Sequence, residues 1–430
     1  MTTCPSASAP KSLKDALDLL GALNNNSGGL KGLVGKELER RVSEYSNNIA
    51  VESHLKGVLD NLTKLRQQLD NDFWTHGSYN EVQNKSPNCL AYTVTDCFPT
   101  LYCTLCYLNF NVNGESQGGG VWACQQCNSG NLQNWLKGNK EIPSASGPSS
   151  QAKLWSGGFS GVLKCSQASE FSSQLQNCVD SRHDKFPMLL SGILFLKPSV
   201  PELTSTFLVF VSAICIIVCN ERQEEGREEE SRKKLHAAFE KQYKSFSEYS
   251  SFKSCCKTVK NNIETLIGKG PSGDDGALHI PQNSRMMYLQ QLHSDKFPLY
   301  LTWLSQNLES FIKNLKQMHT DCTSWDSQKM SEGQVAGPFP YGFGFPKIES
   351  WKTQAVKSSL QKLTDANTND GLPALQSYVE NLIASSTSSA AGTIAGSLIG
   401  TAAVGGMGTA VALNVGGVTT ALKGAVGILK

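Results

Sequence analysis

The chain has 430 residues, which is long enough for two or three domains with a sizeable hydrophobic core. Its 39 basic and 37 acidic residues nearly cancel, and a net charge of +2 excludes the strong field that draws nucleic acid to a protein, so no nucleic-acid partner is expected. Fourteen cysteines are many for a cytosolic protein and too few for a small disulfide scaffold, and several of them fit the role of buried, inert thiols.

The first 70 residues predict helices that pack as an antiparallel bundle. Apolar residues recur at helical spacing in three stripes, and charged residues occupy the opposite faces. The stripes are Leu13, Leu17 and Leu20; Leu30, Leu33, Val34, Leu38 and Val42; and Leu55, Val58, Leu59, Leu62, Leu65 and Leu69. Charged residues also interrupt the N-terminal apolar pattern, so a cleavable signal peptide is not expected.

A cysteine quartet with the pattern C-x2-C-x17-C-x2-C follows in residues 103–127. Its members are Cys103, Cys106, Cys124 and Cys127. This spacing is typical of a structural zinc site. The first pair lies in the apolar sequence LYCTLCYLNF, however, which favours helix or strand over the turn of a zinc ribbon.

The same quartet fits a second interpretation, in which the thiols are oxidised. On a helix the first two thiols would share one face, and the second pair could meet them there in two disulfides. Cys89 and Cys97 are further disulfide candidates. Spacing alone leaves zinc and disulfides open, and it does not fix the connectivity.

The middle of the chain divides the sequence into regions. Residues 140–173 are rich in Ser, Gly and Pro and predict a long loop or linker between a helical, Cys-rich region (1–139) and a second helical region (174–380). Within the second region, Leu203–Cys219 carries no charge and predicts a core helix, with a short membrane span as the alternative. The charged run after it, NERQEEGREEESRKK, predicts a solvated helix or loop.

Two further elements are predicted before the C-terminal segment. Residues 297–322 predict an amphipathic helix whose apolar face consists of Leu301, Leu304, Leu308, Phe311, Ile312, Leu315 and Met318. Residues 337–346, GPFPYGFGFP, alternate aromatic residues with Pro and Gly and therefore predict an ordered loop. The side chains expected to pack onto the helices are Phe339, Tyr341, Phe343 and Phe345.

The C-terminal segment, residues 381–430, predicts a transmembrane helix and a short basic tail. Residues 381–422 contain no charged side chain, and residues 394–418 are long enough to span a bilayer with some tilt. A ridge of small residues, which favours close helix packing in lipid, comprises Gly392, Gly396, Gly400, Gly408, Ala412 and Gly416. Lys423 and Lys430 favour a cytoplasmic C-terminus, although a lone C-terminal span without a signal peptide favours the opposite orientation.

The sequence offers no motif that predicts catalysis. It contains no HExxH sequence and no P-loop, and its seven histidines are scattered. The sequence GGFSG at residues 157–161 puts its serine in the wrong place for a nucleophile elbow. We therefore expect a protein that is not an enzyme and that needs no cofactor.

Several stretches of the chain together form a distinctive pattern. They include PKSLKDALDLLGALN (10–24), AGPFPYGFGF (336–345) and GTAAVGGMGTAVALNVGGVTTALKGAVGI (400–428). FPTLYCTLCYLNF, GGGVWACQQC and DCTSWD belong to the same pattern, in one continuous order over most of the chain. In these stretches the chain resembles the variant erythrocyte surface antigens of Babesia-type piroplasms. This chain is shorter than the large members and carries the charged NERQEEGREEESRKK insert.

The resemblance implies a parasite protein on the surface of the infected red cell, acting in antigenic variation and adhesion. It implies a Cys-rich helical ectodomain, one transmembrane helix, a host receptor and a related antigen subunit as partners, and no catalytic residues. Outside a reducing cytosol thiols oxidise, so the resemblance favours disulfides over zinc at the quartet. The alternative is an intracellular structural or interaction protein that holds zinc through the four cysteines of the quartet.

Overall fold

The computed structural model describes most of the chain between residues 10 and 389. The described ranges are 10–26, 28–46, 50–69, 82, 84–114, 120, 122, 130–138, 154–159, 168–179, 185–220, 227–268, 276–280, 291–326, 329–330, 335–344, 353–368 and 370–389. The chain divides into two compact units, residues 1–383 and 384–430, and only residues 384–389 of the second are described. The predicted transmembrane segment at 394–418 therefore lies outside the described residues.

The described part of the chain is mainly helical, which confirms the predicted mainly α class. Its α-helices are α1 (Leu13–Asn24), α2 (Leu30–Val42), α3 (Val51–Leu69), α4 (Pro87–Asn113), α5 (Gly130–Lys137), α6 (Ala168–Val179), α7 (Lys185–Leu196), α8 (Thr204–Cys219), α9 (Arg227–Tyr243), α10 (Tyr249–Ile267), α11 (Phe297–Asp321), α12 (Thr353–Thr364) and α13 (Leu372–Ser389). Two isolated bridges, Ser12 to Ser156 and His279 to Gly344, are the only β-type pairings among the described residues.

Helices α1 to α3 form as the three apolar stripes predict. The Ser12 hydroxyl caps α1 by accepting a hydrogen bond from the Asp15 amide, so the first turn begins where the apolar spacing starts. Nearly all stripe residues are buried, and α3 packs against both α1 and α2. Leu30 and Leu33 are the exceptions, because Leu30 is only partly buried and half of the Leu33 surface is exposed. Burial of one apolar face therefore accounts for this part of the bundle.

Helix α4 runs through the core and contacts α2, α6, α7 and the aromatic loop. Ser86 caps its N-terminus through a hydrogen bond from the Cys89 amide, and Pro87 stands at the first helical position, where no amide donor is required. The helix continues through Pro99 to Asn113, and most of its side chains are buried. The apolar stretch around the first cysteine pair is thus a helix.

Helix α8 is the most apolar helix described, and it is a core helix as the sequence predicts. Residues Pro201–Cys219 are long and apolar enough to cross a membrane, but 94% of this segment is buried inside the protein. It packs chiefly against α10, with further contacts to α7, α9 and α11. No other helix in the described ranges reaches that length and hydropathy.

The charged run after α8 agrees only in part with its prediction, because Glu230, Lys233 and Lys234 are exposed on α9 whereas Arg232 is not. Arg232 and His236 of α9 are buried, and both bind the C-terminal end of α8. Arg232 donates a hydrogen bond to the side chain of Asn220, the left-handed residue that ends α8, and His236 Nδ1 lies 2.8 Å from the Ile217 carbonyl oxygen. The last carbonyls of a helix need donors, and a basic side chain suits its negative end. Part of this run is therefore a packed cap and not a solvated surface.

The predicted linker does not separate two cores. Within it, residues 154–159 pack on the start of α1, since the Leu13 amide donates to the Ser156 carbonyl over 2.8 Å. Helix α6 begins inside the predicted linker at Ala168, and α3 packs against both α6 and α7. Residues from the regions before and after the linker share one hydrophobic core. The remainder of the linker, 140–153 and 160–167, lies outside the described residues.

Candidate functional site

The first cysteine pair of the quartet lies on α4 and faces the core. Cys103 is buried, and its thiol donates to the Glu202 carbonyl oxygen over 3.7 Å. Burial raises the pKa of Cys103 well above its usual value, and the Glu202 charge raises this pKa further. Burial also raises the pKa of Cys106 to about 12, against the effect of a hydrogen bond with Tyr102. Both thiols are therefore un-ionised at neutral pH in this structure.

The disulfides expected at three of the candidates are absent from the structure. Cys97, Cys103 and Cys106 are all thiols, and each is buried in α4. The physical reason is that these side chains point into the helical core; the Cys97 thiol, for example, donates to the Val94 carbonyl oxygen over 3.6 Å. Cys89, at the start of the same helix, is disulfide-bonded. Cys124 and Cys127 lie outside the described residues.

Cys103 and Cys106 are expected to resist alkylation in the folded protein at pH 8. A thiol whose pKa is about 12 is ionised to only about one part in 10,000 at this pH, against roughly a quarter for an ordinary thiol. Iodoacetamide should therefore label Cys106 at least about a thousandfold more slowly than in the unfolded chain, as measured by peptide mass spectrometry. Labelling at the rate of the unfolded chain would contradict the buried positions, and protection that a chelator removes without unfolding would indicate bound zinc.

The aromatic loop is ordered and buried over its described residues, 337–344. Phe339, Tyr341 and Phe343 are each at most 2% exposed, which confirms their predicted packing. The Phe339 ring lies 5.5 Å from both the Tyr107 and the Phe110 ring of α4, measured between centroids. Phe345 lies outside the described residues. The loop therefore packs against α4, and it does not present these three rings to a ligand.

A buried carboxylate ties the aromatic loop to α11. Tyr341 donates its hydroxyl proton to Asp321 Oδ2 over 2.7 Å, and Gln317 donates its amide to Asp321 Oδ1 over 2.8 Å. Asp321 begins the sequence DCTSWD, and Trp325 of that sequence lies against Tyr341 with 6.5 Å between ring centroids. Hydrogen bonds thus connect the aromatic loop to the DCTSWD sequence, although the two stretches are separate in the chain.

Gly342→Ala is expected to destabilise the protein by about 2–4 kcal/mol. Gly342 has a φ of 78°, and an added Cβ would lie 2.7 Å from the Glu202 carbonyl oxygen and 2.4 Å from Ser205 Oγ. The matched control is Gly29→Ala, because Gly29 has a φ of 71° with nothing within 4 Å of an added Cβ. Urea unfolding should show the larger loss at Gly342, and equal losses would contradict the close packing of the loop.

A second group of cysteines was not identified from the sequence. Cys215 and Cys219 of α8 meet Cys255 and Cys256 of α10 where these two helices pack together. Burial raises the pKa of Cys256 well above its usual value, and the neighbouring Cys215 raises this pKa further. The spacing of Cys215 and Cys219, four residues apart on an apolar helix, is the sequence signal for a shared face.

Neither the quartet nor the second thiol group forms a metal centre in the described ranges. No group of three or more His, Cys, Asp or Glu side chains that could hold a metal ion is found there. The predicted zinc alternative needs Cys124 and Cys127, and the small-residue ridge needs Gly392, Gly396, Gly400, Gly408, Ala412 and Gly416, all of which lie outside the described residues. These two predictions remain predictions.

Comparison with known proteins gives no family for this chain. No family model, no curated protein and no solved structure matches it.

Proposed function

We propose that the chain is a non-catalytic surface antigen of a parasite, displayed on the infected erythrocyte. In this proposal residues 1–380 form an ectodomain, residues 394–418 cross the membrane, and the short basic tail lies in the cytoplasm. The protein acts in antigenic variation and in adhesion to host cells, with a host cell-surface receptor and a related antigen subunit as its partners. The resemblance to variant erythrocyte surface antigens supports these roles.

The position of α8 is the observation that supports a membrane span at the C-terminal end of the chain. This helix is the one described segment with the length and hydropathy of a span, and its surface is already covered by other helices. The Ile217 carbonyl near its C-terminus is contacted by His236 of α9 and accepts a hydrogen bond from the Asn220 amide. The uncharged stretch at 381–422 is then the remaining apolar segment available for an anchor.

Protease treatment of intact infected erythrocytes tests the proposed display. Residues 1–380 should be digested from outside, while an epitope tag after Lys430 survives on a short membrane-bound fragment. Digestion of lysed cells is the control, because it should remove the tag as well. Protection of residues 1–380 in intact cells, with an internal red-cell protein as the marker of integrity, would rule out the display.

An intracellular structural or interaction protein with a zinc site is the second candidate. The observation in its favour is that Cys103 and Cys106 are thiols on one face of α4. Metal analysis of the protein purified without reductant distinguishes the two candidates. One zinc per chain that is released together with four reactive thiols supports the second candidate. The absence of zinc together with oxidised Cys124 and Cys127 supports the surface antigen.

A further inference from the structure

Four cysteines lie where α8 packs against α10, and two of their thiols donate hydrogen bonds to backbone carbonyls. Cys219 donates to the Lys253 carbonyl oxygen over 3.6 Å, and Cys255 donates to the Gly371 carbonyl oxygen over 3.8 Å. Both of these thiols are therefore turned toward backbone. Cys215 lies one helical turn before Cys219 on α8, and Cys256 lies about one turn after Lys253 on α10, so the Cys219 contact with Lys253 leaves Cys215 and Cys256 next along the same interface. Cys215 is also one of the groups that raise the pKa of Cys256, which agrees with this placement.

Burial and close helix packing favour a stable link between Cys215 and Cys256. Both side chains have 0% of their surface exposed, and α8 and α10 form the most extensive helix–helix contact among the described elements. A disulfide needs the two sulfur atoms to approach across a close backbone separation. The extensive packing of α8 on α10 brings both buried thiols to one interface.

We propose that Cys215 and Cys256 form a disulfide between α8 and α10 when the chain folds in the presence of a small-molecule disulfide. Two S–H bonds of the protein break and one S–S bond forms between them. The two electrons and two protons pass to the small-molecule disulfide, whose own S–S bond breaks to give two thiols. Since both side chains are buried in the folded protein, the exchange takes place before α8 and α10 have closed together, and the finished bond is shielded from reductants.

This pairing rests on the helix interface and not on the proposed display at the cell surface. If the bond fails to form, the surface-antigen proposal is unaffected, because the protease experiment reads topology and not this bond. If the chain proves to be intracellular, the placement of Cys215 and Cys256 still predicts the same product under oxidising conditions in vitro.

Disulfide mapping after refolding tests the proposal. The full chain is unfolded with reductant and refolded with a mixture of oxidised and reduced glutathione, and remaining thiols are then alkylated in denaturant. Because no Lys or Arg separates Cys215 from Cys219 or Cys255 from Cys256, a tryptic peptide pair alone does not identify the partners. Two double variants resolve this.

The variant Cys219→Ser with Cys255→Ser keeps the proposed pair, and we expect it to give the linked peptides in the same yield as the unaltered chain. The complementary variant Cys215→Ser with Cys256→Ser should give none. Circular dichroism of each variant checks the fold, and alanine replaces serine where a variant does not refold. Full alkylation of Cys215 and Cys256 in the unaltered chain, or linkage through Cys219 or Cys255, would overturn the proposal.

Discussion

Phe207→Ala is expected to lower the free energy of unfolding by about 3–5 kcal/mol. Phe207 is fully buried in α8, and its ring stacks on Phe311 of α11 with 3.5 Å between centroids and 3° between planes. Alanine would leave a cavity between two packed helices and remove the ring contact. Urea unfolding of the chain ending at Ser389, followed by circular dichroism, measures the loss.

Leu33→Ala is the control for Phe207, because Leu33 is 50% exposed and its truncation should change stability by no more than about 0.5 kcal/mol. If α8 instead faced lipid, Phe207 would have no Phe311 partner in the core. Equal, small effects of the two substitutions would therefore contradict the assignment of α8 to the core.

Asp18→Asn is expected to cost about 3–5 kcal/mol, because it leaves a buried guanidinium without its counter-charge. Asp18 and Arg66 are each 2% exposed, and Asp18 Oδ1 lies 2.6 Å from Arg66 Nε, joining α1 to α3. Lys14 Nζ lies 2.5 Å from the other carboxylate oxygen. Thermal or urea unfolding of the variant measures the loss.

Two further variants show whether the Asp18 effect comes from the ion pair. Asp15→Asn, on the exposed face of the same helix, should cost no more than about 1 kcal/mol. The double variant Asp18→Leu with Arg66→Met removes both charges and should regain most of the loss, since a buried pair often gives no more stability than well-packed apolar residues. A double variant as unstable as Asp18→Asn would show that the charge itself is not responsible.

Elements with a regular apolar face could be predicted from the sequence because their burial repeats at helical spacing. The predicted face of α11 shows this, since Leu301, Leu304 and Phe311 are all buried. The helix also begins and ends within one residue of the predicted bounds. The aromatic loop was also predictable, because Pro and Gly exclude helix there while three rings require burial. These signals are local and need no knowledge of which elements are neighbours.

Features that depend on tertiary neighbours could not be predicted in the same way. The pattern around Arg232 and His236 indicates a charged surface, and only the position of α8 makes these residues a cap. The cysteine spacing likewise suggested zinc or disulfides at Cys103, whereas the orientation of α4 puts this thiol against Glu202 in the core. The placement of Cys215 near Cys256 involves residues from two helices, so no single stretch of sequence displays it.

Membrane fractionation of the full chain and of the chain ending at Ser389 shows which segment attaches the protein to a membrane. We expect α8 to stay in the core and the proposed span at residues 394–418 to be the anchor. After alkaline extraction the full chain should stay in the membrane pellet, while the shortened chain should be soluble, helical by circular dichroism and cooperative in unfolding. A shortened chain that remains in the pellet would make residues 203–219 the anchor and contradict the account.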